Sequence, residues 1–328
     1  NTKDELIDGA VLYLRIYLLG MPALGLYNFG NAVLSAAGDT KRPLYYLAFA
    51  GVVNVILNLF FVIVCHLGVA GVALASMISQ FISAFLILRA LLTGKEKYCL
   101  RLSEIRFDKR KAAGILKIGI PSAFQYSLFA FANLFVQSSV NSFDHVLVEG
   151  NSAAANADPL VYDMMAAFYT ACSSFIAQNF GARKKKRILQ TYLICLFYSF
   201  ITSLVLGVGI YLARYPFLYL FTSDKAVVEA GITRLSIMAL SYSASAFMDA
   251  SIAASRGLGK TAVPTFVVVM GSCVFRIIWI YTIFAYFHTI QSLYILYVFS
   301  WGITAIAENI YFFHVYRHTL TGKTESHL

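Results

Sequence analysis

Charged side chains are scarce in this 328-residue chain. Only 13% of its residues are Asp, Glu, Lys or Arg, whereas 59% are hydrophobic. A soluble domain carries about 25% charged residues. So little charge cannot keep so much apolar surface in water, and the mean hydropathy of +0.71 agrees. The composition excludes an ordinary water-soluble domain and predicts an all-α polytopic membrane protein.

The sequence also lacks the motifs of soluble catalysis. It contains no Gly-x-Gly-x-x-Gly, no Walker lysine motif and no His-Glu-x-x-His. Its five cysteines show neither a Cys-x-x-Cys pair nor a metal-ligand spacing, so we interpret them as small apolar side chains. No enzymatic activity and no cofactor is predicted. An intramembrane enzyme or a receptor is a remote alternative, because it would need clustered histidines or acids inside the membrane.

Long apolar runs are abundant. Because a helix needs about 20 residues to cross the hydrocarbon core, we predict nine spans, near residues 12–37, 44–64, 68–88, 115–140, 160–180, 190–212, 231–255, 264–287 and 293–315. Pro22 and Pro121 are candidate kinks. The one long polar stretch, residues 94–117, contains Leu102, Ile105 and Phe107 and predicts a short surface helix. These boundaries divide the chain into half of one bundle (1–93), a linker (94–114) and a six-helix bundle (115–328).

The basic residues follow the spans. Of the 26 lysines and arginines, 20 fall in alternate loops, which predicts that those loops and the C-terminus are cytoplasmic. The expected location is a bacterial plasma membrane. The net charge of +10 is therefore explained by loops that face anionic lipid headgroups, and a nucleic-acid partner is not predicted.

An internal repeat organises the spans. Residues 8–43 resemble residues 229–264 at an offset of 221, with Gly38 matching Gly259 and Pro43 matching Pro264. Three spans precede the matching span in the second copy and none precedes it in the first. Because many secondary transporters are built from internal repeats, we expect a complete protein of six plus six spans, from which this chain lacks the first three.

Five stretches carry a resemblance to a known family. They are GDTKRP (38–43), AGVALASMISQ (70–80), GNSAAANAD (150–158), AQNFGARKKKR (177–187) and RGLGKT (256–261). Their order resembles the multidrug and toxic compound extrusion (MATE) family, in the branch found in Firmicutes. The resemblance implies a monomeric antiporter that exports organic cations or other drugs by alternating access, coupled to Na⁺ or H⁺. The alternative is a flippase for lipid-linked oligosaccharides, which shares the fold and would need a strongly cationic cavity.

Two acids lie well within predicted spans, where ionisable groups are costly and usually functional. Asp249 resembles the acids that couple cations in the C-terminal bundle of the family. It could instead form a structural ion pair with Arg276 on the neighbouring span. Glu308 in the last span could be a functional acid or a hydrogen-bond partner. We expect Glu308 and Arg276 at the substrate cavity.

Asn54 and Asn58 are four residues apart and therefore share one helix face. Together with Ser76 of the next span they match, residue by residue, a cation site of the family. Asn58 replaces an Asp that is frequent there, so the local charge is lower. Na⁺ at this place is the one metal ion predicted. The alternative is a pair of amides that join helices.

Amides also line the first span of the second bundle. Gln125 lies near its start, and Asn133, Gln137 and Asn141 repeat every four residues along one face. Such a stripe suits either a cavity wall or a helix interface. We predict that Gln125, Asn133 and Gln137 contact substrate.

Overall fold

The structure, a computed structural model, describes residues 4–94 and 99–319. Within these ranges every regular element is helical and no strand occurs. The chain divides into two compact units, Asn1–Phe107 and Asp108–Leu328. Each unit is described separately below, as the first and the second unit.

The first unit has four α-helices: α1 (Asp4–Leu19), α2 (Met21–Ala36), α3 (Lys41–Leu59) and α4 (Gly68–Thr93). A π-helical segment, Phe60–Val64, continues α3. The axes of α1 and α2 are bent by 43° at Gly20. Pro22 stands in the first turn of α2, where a missing N–H costs nothing, which confirms the predicted kink. A Cβ at Gly20 would lie 2.0 Å from Gln80 Oε1, so a larger residue there would displace the Gln80 side chain.

The second unit has ten α-helices. They are α5 (Lys109–Val140), α6 (His145–Ala155), α7 (Ala157–Gly181), α8 (Lys185–Leu212), α9 (Arg214–Tyr219), α10 (Lys225–Gly257), α11 (Ala262–Val268), α12 (Phe275–Trp279), α13 (Ala285–Phe287) and α14 (Ile290–His318). Two π-helical segments, Val269–Val274 and Ile280–Phe284, join α11 to α12 and α12 to α13. The helix α5 continues through Pro121, so the second predicted kink is not a break.

The described residues contain eight helices long and apolar enough to cross a membrane, or nine when the bent pair α1–α2 counts as one span. This agrees with the nine predicted spans. The largest difference concerns the fifth span, which was placed at 160–180 and extends over His145–Gly181. The prediction started late because the segment from 150 to 158 contains Asn151 and Asp158, whose polarity ended the apolar run.

The predicted linker differs from the observed one. The structure has only a 3₁₀ turn, Leu102–Glu104, where a surface helix was expected. The helix α5 already begins at Lys109, inside the predicted 94–114 linker, because the Asp108 carboxylate accepts hydrogen bonds from the backbone N–H groups of Arg110 and Lys111. Residues 95–98 lie outside the described part of the chain.

The helix α10 forms the centre of the second unit and packs against α6, α7, α8 and α14. Small residues let the backbones approach closely, as is usual for helices in membranes. A Cβ added to Gly207 of α8 would lie only 2.0 Å from the carbonyl oxygen of Ala239. A Cβ on Gly150 of α6 would lie 2.7 Å from the carbonyl oxygen of Val227. These contacts fix the positions of α6 and α8 on α10.

The repeat is visible in the backbone of the two units. Gly38 and Gly259 both have positive φ, +92° and +74°, at the turn before the next helix. His66 and His288 both have positive φ at the end of that helix. The offset between the copies rises from 221 at the glycines to 222 at the histidines. The second copy accommodates its extra residue in the π segment Val269–Val274, whereas residues 48–53 of the first copy are α-helical.

Candidate substrate cavity and cation site

A cavity of about 430 Å³ lies inside the second unit, between α5, α7, α10, α12 and α14. Its aromatic lining consists of Tyr126, Phe129, Tyr162, Tyr169, Tyr294, Tyr297 and Trp301. Its polar and charged lining consists of Gln125, Asn133, Gln137, Asp158, Arg234, Asp249, Arg256 and Arg276. A mostly apolar concave site with a few convergent polar groups is the usual form of a small-molecule site.

An ion pair that the sequence analysis missed lies in the cavity wall. The Asp158 carboxylate accepts hydrogen bonds from Arg234 Nη2, at 2.5 Å, and from the Tyr242 hydroxyl. Arg234, which is only 6% exposed, also donates through Nη1 to Asn151 Oδ1 at 2.7 Å. Asn151 on α6 and Asp158 on α7 belong to one span and are seven residues apart, the spacing of residues that share a helix face. That spacing was the available signal, and it was overlooked because the predicted span began after both residues.

Asp249 lies where it was expected, on α10 in the cavity wall. Its carboxylate receives no hydrogen bond from any described residue, and Arg256 acts on it electrostatically. Arg256 donates through Nη2 to Gln125 Oε1 at 3.0 Å, which links α10 to α5. The alternative prediction, an ion pair between Asp249 and Arg276, is wrong, because the hydrogen bonds of Arg276 go elsewhere.

Arg276 is fully buried on α12 and makes its hydrogen bonds with neutral groups. Its Nη1 donates to Asn133 Oδ1 at 2.7 Å, and its Nε donates to Ser300 Oγ at 3.3 Å. Two aromatic rings, of Phe129 and Tyr297, have centroids 4.6 Å from its Cζ, the geometry of cation–π contacts.

The predicted amide stripe on α5 faces the cavity. Asn133 and Gln137 both belong to the lining, and Gln137 donates to Asn141 Oδ1 at 3.0 Å. Gln125 and Asn133 also accept hydrogen bonds from arginines on other helices. Three amides of α5, Gln125, Asn133 and Gln137, therefore line the cavity, and Gln125 and Asn133 also join α5 to other helices.

Glu308 does not lie in the cavity wall, contrary to the prediction. Its side chain is 0% exposed on α14, and neither carboxyl oxygen has a hydrogen-bond partner among the described residues. Arg256 and Asp249 are close enough to act on it electrostatically. Glu308 is thus buried outside the cavity lining, close to the lining residues Arg256 and Asp249.

The residues predicted to form a cation site lie together in the first unit, but Ser79 stands where the hydroxyl of Ser76 was expected. Asn58 Nδ2 donates to Asn54 Oδ1 at 3.0 Å, and Asn54 Nδ2 donates to Ser79 Oγ at 3.3 Å. Ser76 contributes its backbone carbonyl, which accepts from Ser79 at 2.8 Å, so the hydroxyl nearest the amides belongs to Ser79. Asn58 Oδ1 is buried with no partner among the described residues. Such oxygens suit a hard cation better than a soft one.

With this geometry established, comparison with known proteins assigns the family. The MatE family model matches residues 1–60 and 121–282, so the chain belongs to the MATE family. This match confirms the predicted resemblance to the MATE family. Homologues in the family are transporters, which agrees with the prediction that the chain is not an enzyme.

Relatives and solved structures support the assignment. The probable multidrug resistance protein YpnP of Bacillus subtilis is 34% identical over 189 residues, which cover 57% of this chain and 42% of that protein. The probable multidrug resistance protein NorM of Thermotoga maritima is 23% identical over 273 residues, which cover 80% of this chain and 58% of that protein. A structure described as an outward-facing multidrug resistance MATE transporter matches with a TM-score of 0.89 at 21% identity, covering 97% of this chain and 72% of that one.

The chain thus spans about half the length of the curated relatives it matches. The Bacillus relative agrees with the predicted Firmicutes branch. The structural match confirms the predicted fold, an all-α multi-pass membrane protein of the MATE type.

Proposed function

We propose that this chain belongs to a cation-coupled antiporter that exports small organic molecules by alternating access. The transporter would act as a monomer in a bacterial plasma membrane, with the C-terminus in the cytoplasm. Na⁺ or H⁺ entering down its gradient would drive export. The predicted substrates, organic cations, would stack on the aromatic lining of the cavity.

One observation carries the proposal. Asp249 stands in the wall of a cavity in a membrane-spanning unit, and its carboxylate receives no hydrogen bond from any described residue. An ionisable group in such a place is costly unless it binds something during function. A coupling cation or a proton can compensate the carboxylate, and Arg256 nearby offers a second partner when that cation leaves.

The test compares wild-type transport with that of Asp249→Asn in everted vesicles that contain the full-length transporter. Efflux of a fluorescent organic cation is followed under imposed Na⁺ and H⁺ gradients. We expect gradient-driven transport to be lost in Asp249→Asn, because the isosteric amide can carry neither a charge nor a proton.

Asp163→Asn is the matched control. Asp163 is exposed on α7 and lies outside the cavity lining, so this change should leave transport as in the wild type. Gradient-driven transport that persists in Asp249→Asn would refute the role of this residue. A wild type that moves no organic cation under either gradient would refute the exporter.

A second candidate function is favoured by one specific observation. Three arginines, Arg234, Arg256 and Arg276, are among the described residues that line the cavity. A cationic cavity is what a flippase for lipid-linked oligosaccharides would need. The same vesicles assayed with a labelled lipid-linked sugar would separate the two functions.

A further inference from the structure

The charges in the cavity wall are not balanced. Three arginines and two carboxylates are found among the described lining residues. Arg234 is neutralised by Asp158 through a direct ion pair. Arg256 interacts electrostatically with the carboxyl groups of both Asp249 and Glu308. The cation without an acidic partner among the described residues is therefore Arg276.

The surroundings of Arg276 are those of an incompletely used anion site. A guanidinium has five N–H donors in a planar fork that matches carboxylate and phosphate. Here Nη1 and Nε bond only to the neutral oxygens of Asn133 and Ser300, and Nη2 has no partner among the described residues. A buried donor with no acceptor is expensive, so the site is completed when an anion supplies one.

The repeat gives independent support. Counted back from the left-handed residues His66 and His288, Asn54 and Arg276 occupy the same position in their units. In the first unit this position carries an amide of the predicted cation site. In the second unit it carries a fixed positive charge, which takes the place that a bound cation would have. The second copy is therefore suited to the opposite charge.

We propose that Arg276 binds an anionic group, a carboxylate, sulfonate or phosphate, of an aromatic molecule in the cavity of the second unit. This inference rests on the proposed function, because it assumes that the cavity holds the exported molecule. Substrates then include anions and zwitterions besides the predicted organic cations.

The contacts indicate how the ligand binds. Asn133 is exposed on α5 and its Oδ1 occupies the Nη1 donor, so the anion takes the place of this neutral oxygen and also reaches Nη2. The attached ring lies against the aromatic wall formed by Phe129 and Tyr297, which already contacts the guanidinium. An anion bound in this way gains charge-assisted hydrogen bonds in a water-poor environment.

The experiment uses two dyes with the same xanthene ring system and opposite charge. A rhodamine methyl ester is the cation, and fluorescein is the anion. Their binding to the purified full-length transporter is measured by fluorescence anisotropy, which requires no ion gradient. The wild type should bind fluorescein.

Two substitutions test the role of Arg276. Asn133→Asp is isosteric and supplies the missing acidic partner in place. Fluorescein should then bind about tenfold more weakly or worse, the loss expected of one charge-assisted hydrogen bond, while the rhodamine ester binds more tightly. Arg276→Gln removes the charge and should weaken fluorescein binding in the same direction. Because Asn133→Asp adds an ion pair to the folded protein, a loss of binding cannot be attributed to unfolding.

The outcomes separate the two proposals. Fluorescein binding equal in the wild type, Asn133→Asp and Arg276→Gln overturns the anion site, even if the rhodamine ester is exported as proposed. Fluorescein binding that these variants weaken supports the anion site, even if no dye is exported. Dodecyl phosphate distinguishes the source of the anion: displacement of fluorescein by this amphiphile at lower concentrations than by benzoate supports a lipid phosphate as the natural ligand of the same site.

Discussion

Arg234 and Asp158 form an ion pair across 76 positions of sequence, with 2.5 Å between Nη2 and Oδ2. The pair joins α7 to α10 in the wall of the cavity, and the Tyr242 hydroxyl adds a second hydrogen bond to the same carboxylate. The side chain of Arg234 is 8% exposed and that of Asp158 is 29% exposed. Arg234 is therefore the buried member of the pair, and Asp158 is the member that is partly exposed.

Asp158→Asn should destabilise the protein. The change removes the negative charge and leaves the Arg234 guanidinium buried without compensation. The expected loss is about 3 kcal/mol, the low end for breaking a buried ion pair, because Asp158 is partly exposed. Thermal unfolding of the detergent-purified protein measures it.

The double variant Asp158→Asn with Arg234→Gln is the control for that measurement. It removes both charges, so it should recover part of the stability that the single variant loses. A double variant less stable than Asp158→Asn alone would contradict this view of the pair.

Gly207 and Gly209 provide a matched pair of substitutions on α8. A Cβ at Gly207 would lie 2.0 Å from the Ala239 carbonyl oxygen, whereas nothing lies within 4 Å of a Cβ at Gly209. Gly207→Ala should separate α8 from α10 and cost about 3 kcal/mol or more. Gly209→Ala should be neutral or stabilise by up to about 1 kcal/mol, the helix preference of Ala. Unfolding curves with equal midpoints for the two variants would disprove the close approach of α8 and α10.

Na⁺ should stabilise the transporter if the amides of the first unit bind it. With Na⁺ at ten times its Kd, linkage predicts about 1.4 kcal/mol relative to choline at the same ionic strength. Asn58→Ala should abolish this difference, because Asn58 Oδ1 is the buried amide oxygen that has no partner among the described residues. The melting temperature in NaCl and in choline chloride measures the effect.

Asn31→Ala is the control for the Na⁺ measurement. Asn31 on α2 has the same amide, and its Oδ1 accepts one hydrogen bond from the Ser35 hydroxyl four residues later, but it lies outside the cluster. Stabilisation by Na⁺ should persist in this variant. A wild type that melts alike in both salts would rule out Na⁺ at this site and leave H⁺ as the coupling ion.

The spans could be predicted from the sequence because lipid demands long apolar runs, which composition alone reveals. The cavity could be predicted only in part. Asp249 and Asn133 stood out because a polar group inside a span is rare. Asp158 and Arg234 did not stand out, because Asp158 preceded the predicted span 160–180 and Arg234 lay at the start of the predicted span 231–255, where polar residues are ordinary.

Partners across helices could not be predicted at all. Arg276 and Asp249 are on neighbouring spans, which suggested an ion pair, yet Arg276 bonds to Asn133, 143 positions away. Which face of a helix meets which neighbour depends on rotation about the helix axis. That rotation is set by packing and by π segments, for which the sequence analysis found no signal.

The π segment Val269–Val274 has a consequence for Arg276, which follows it by two residues. Each residue turns an α-helix by about 100°, so deleting one residue from this segment would restore regular α geometry and point the guanidinium at a different neighbour. The direction of Arg276 is thus determined by how many residues precede it. A one-residue change of chain length would therefore change the charge that α12 presents to the cavity without any amino-acid substitution in the cavity wall.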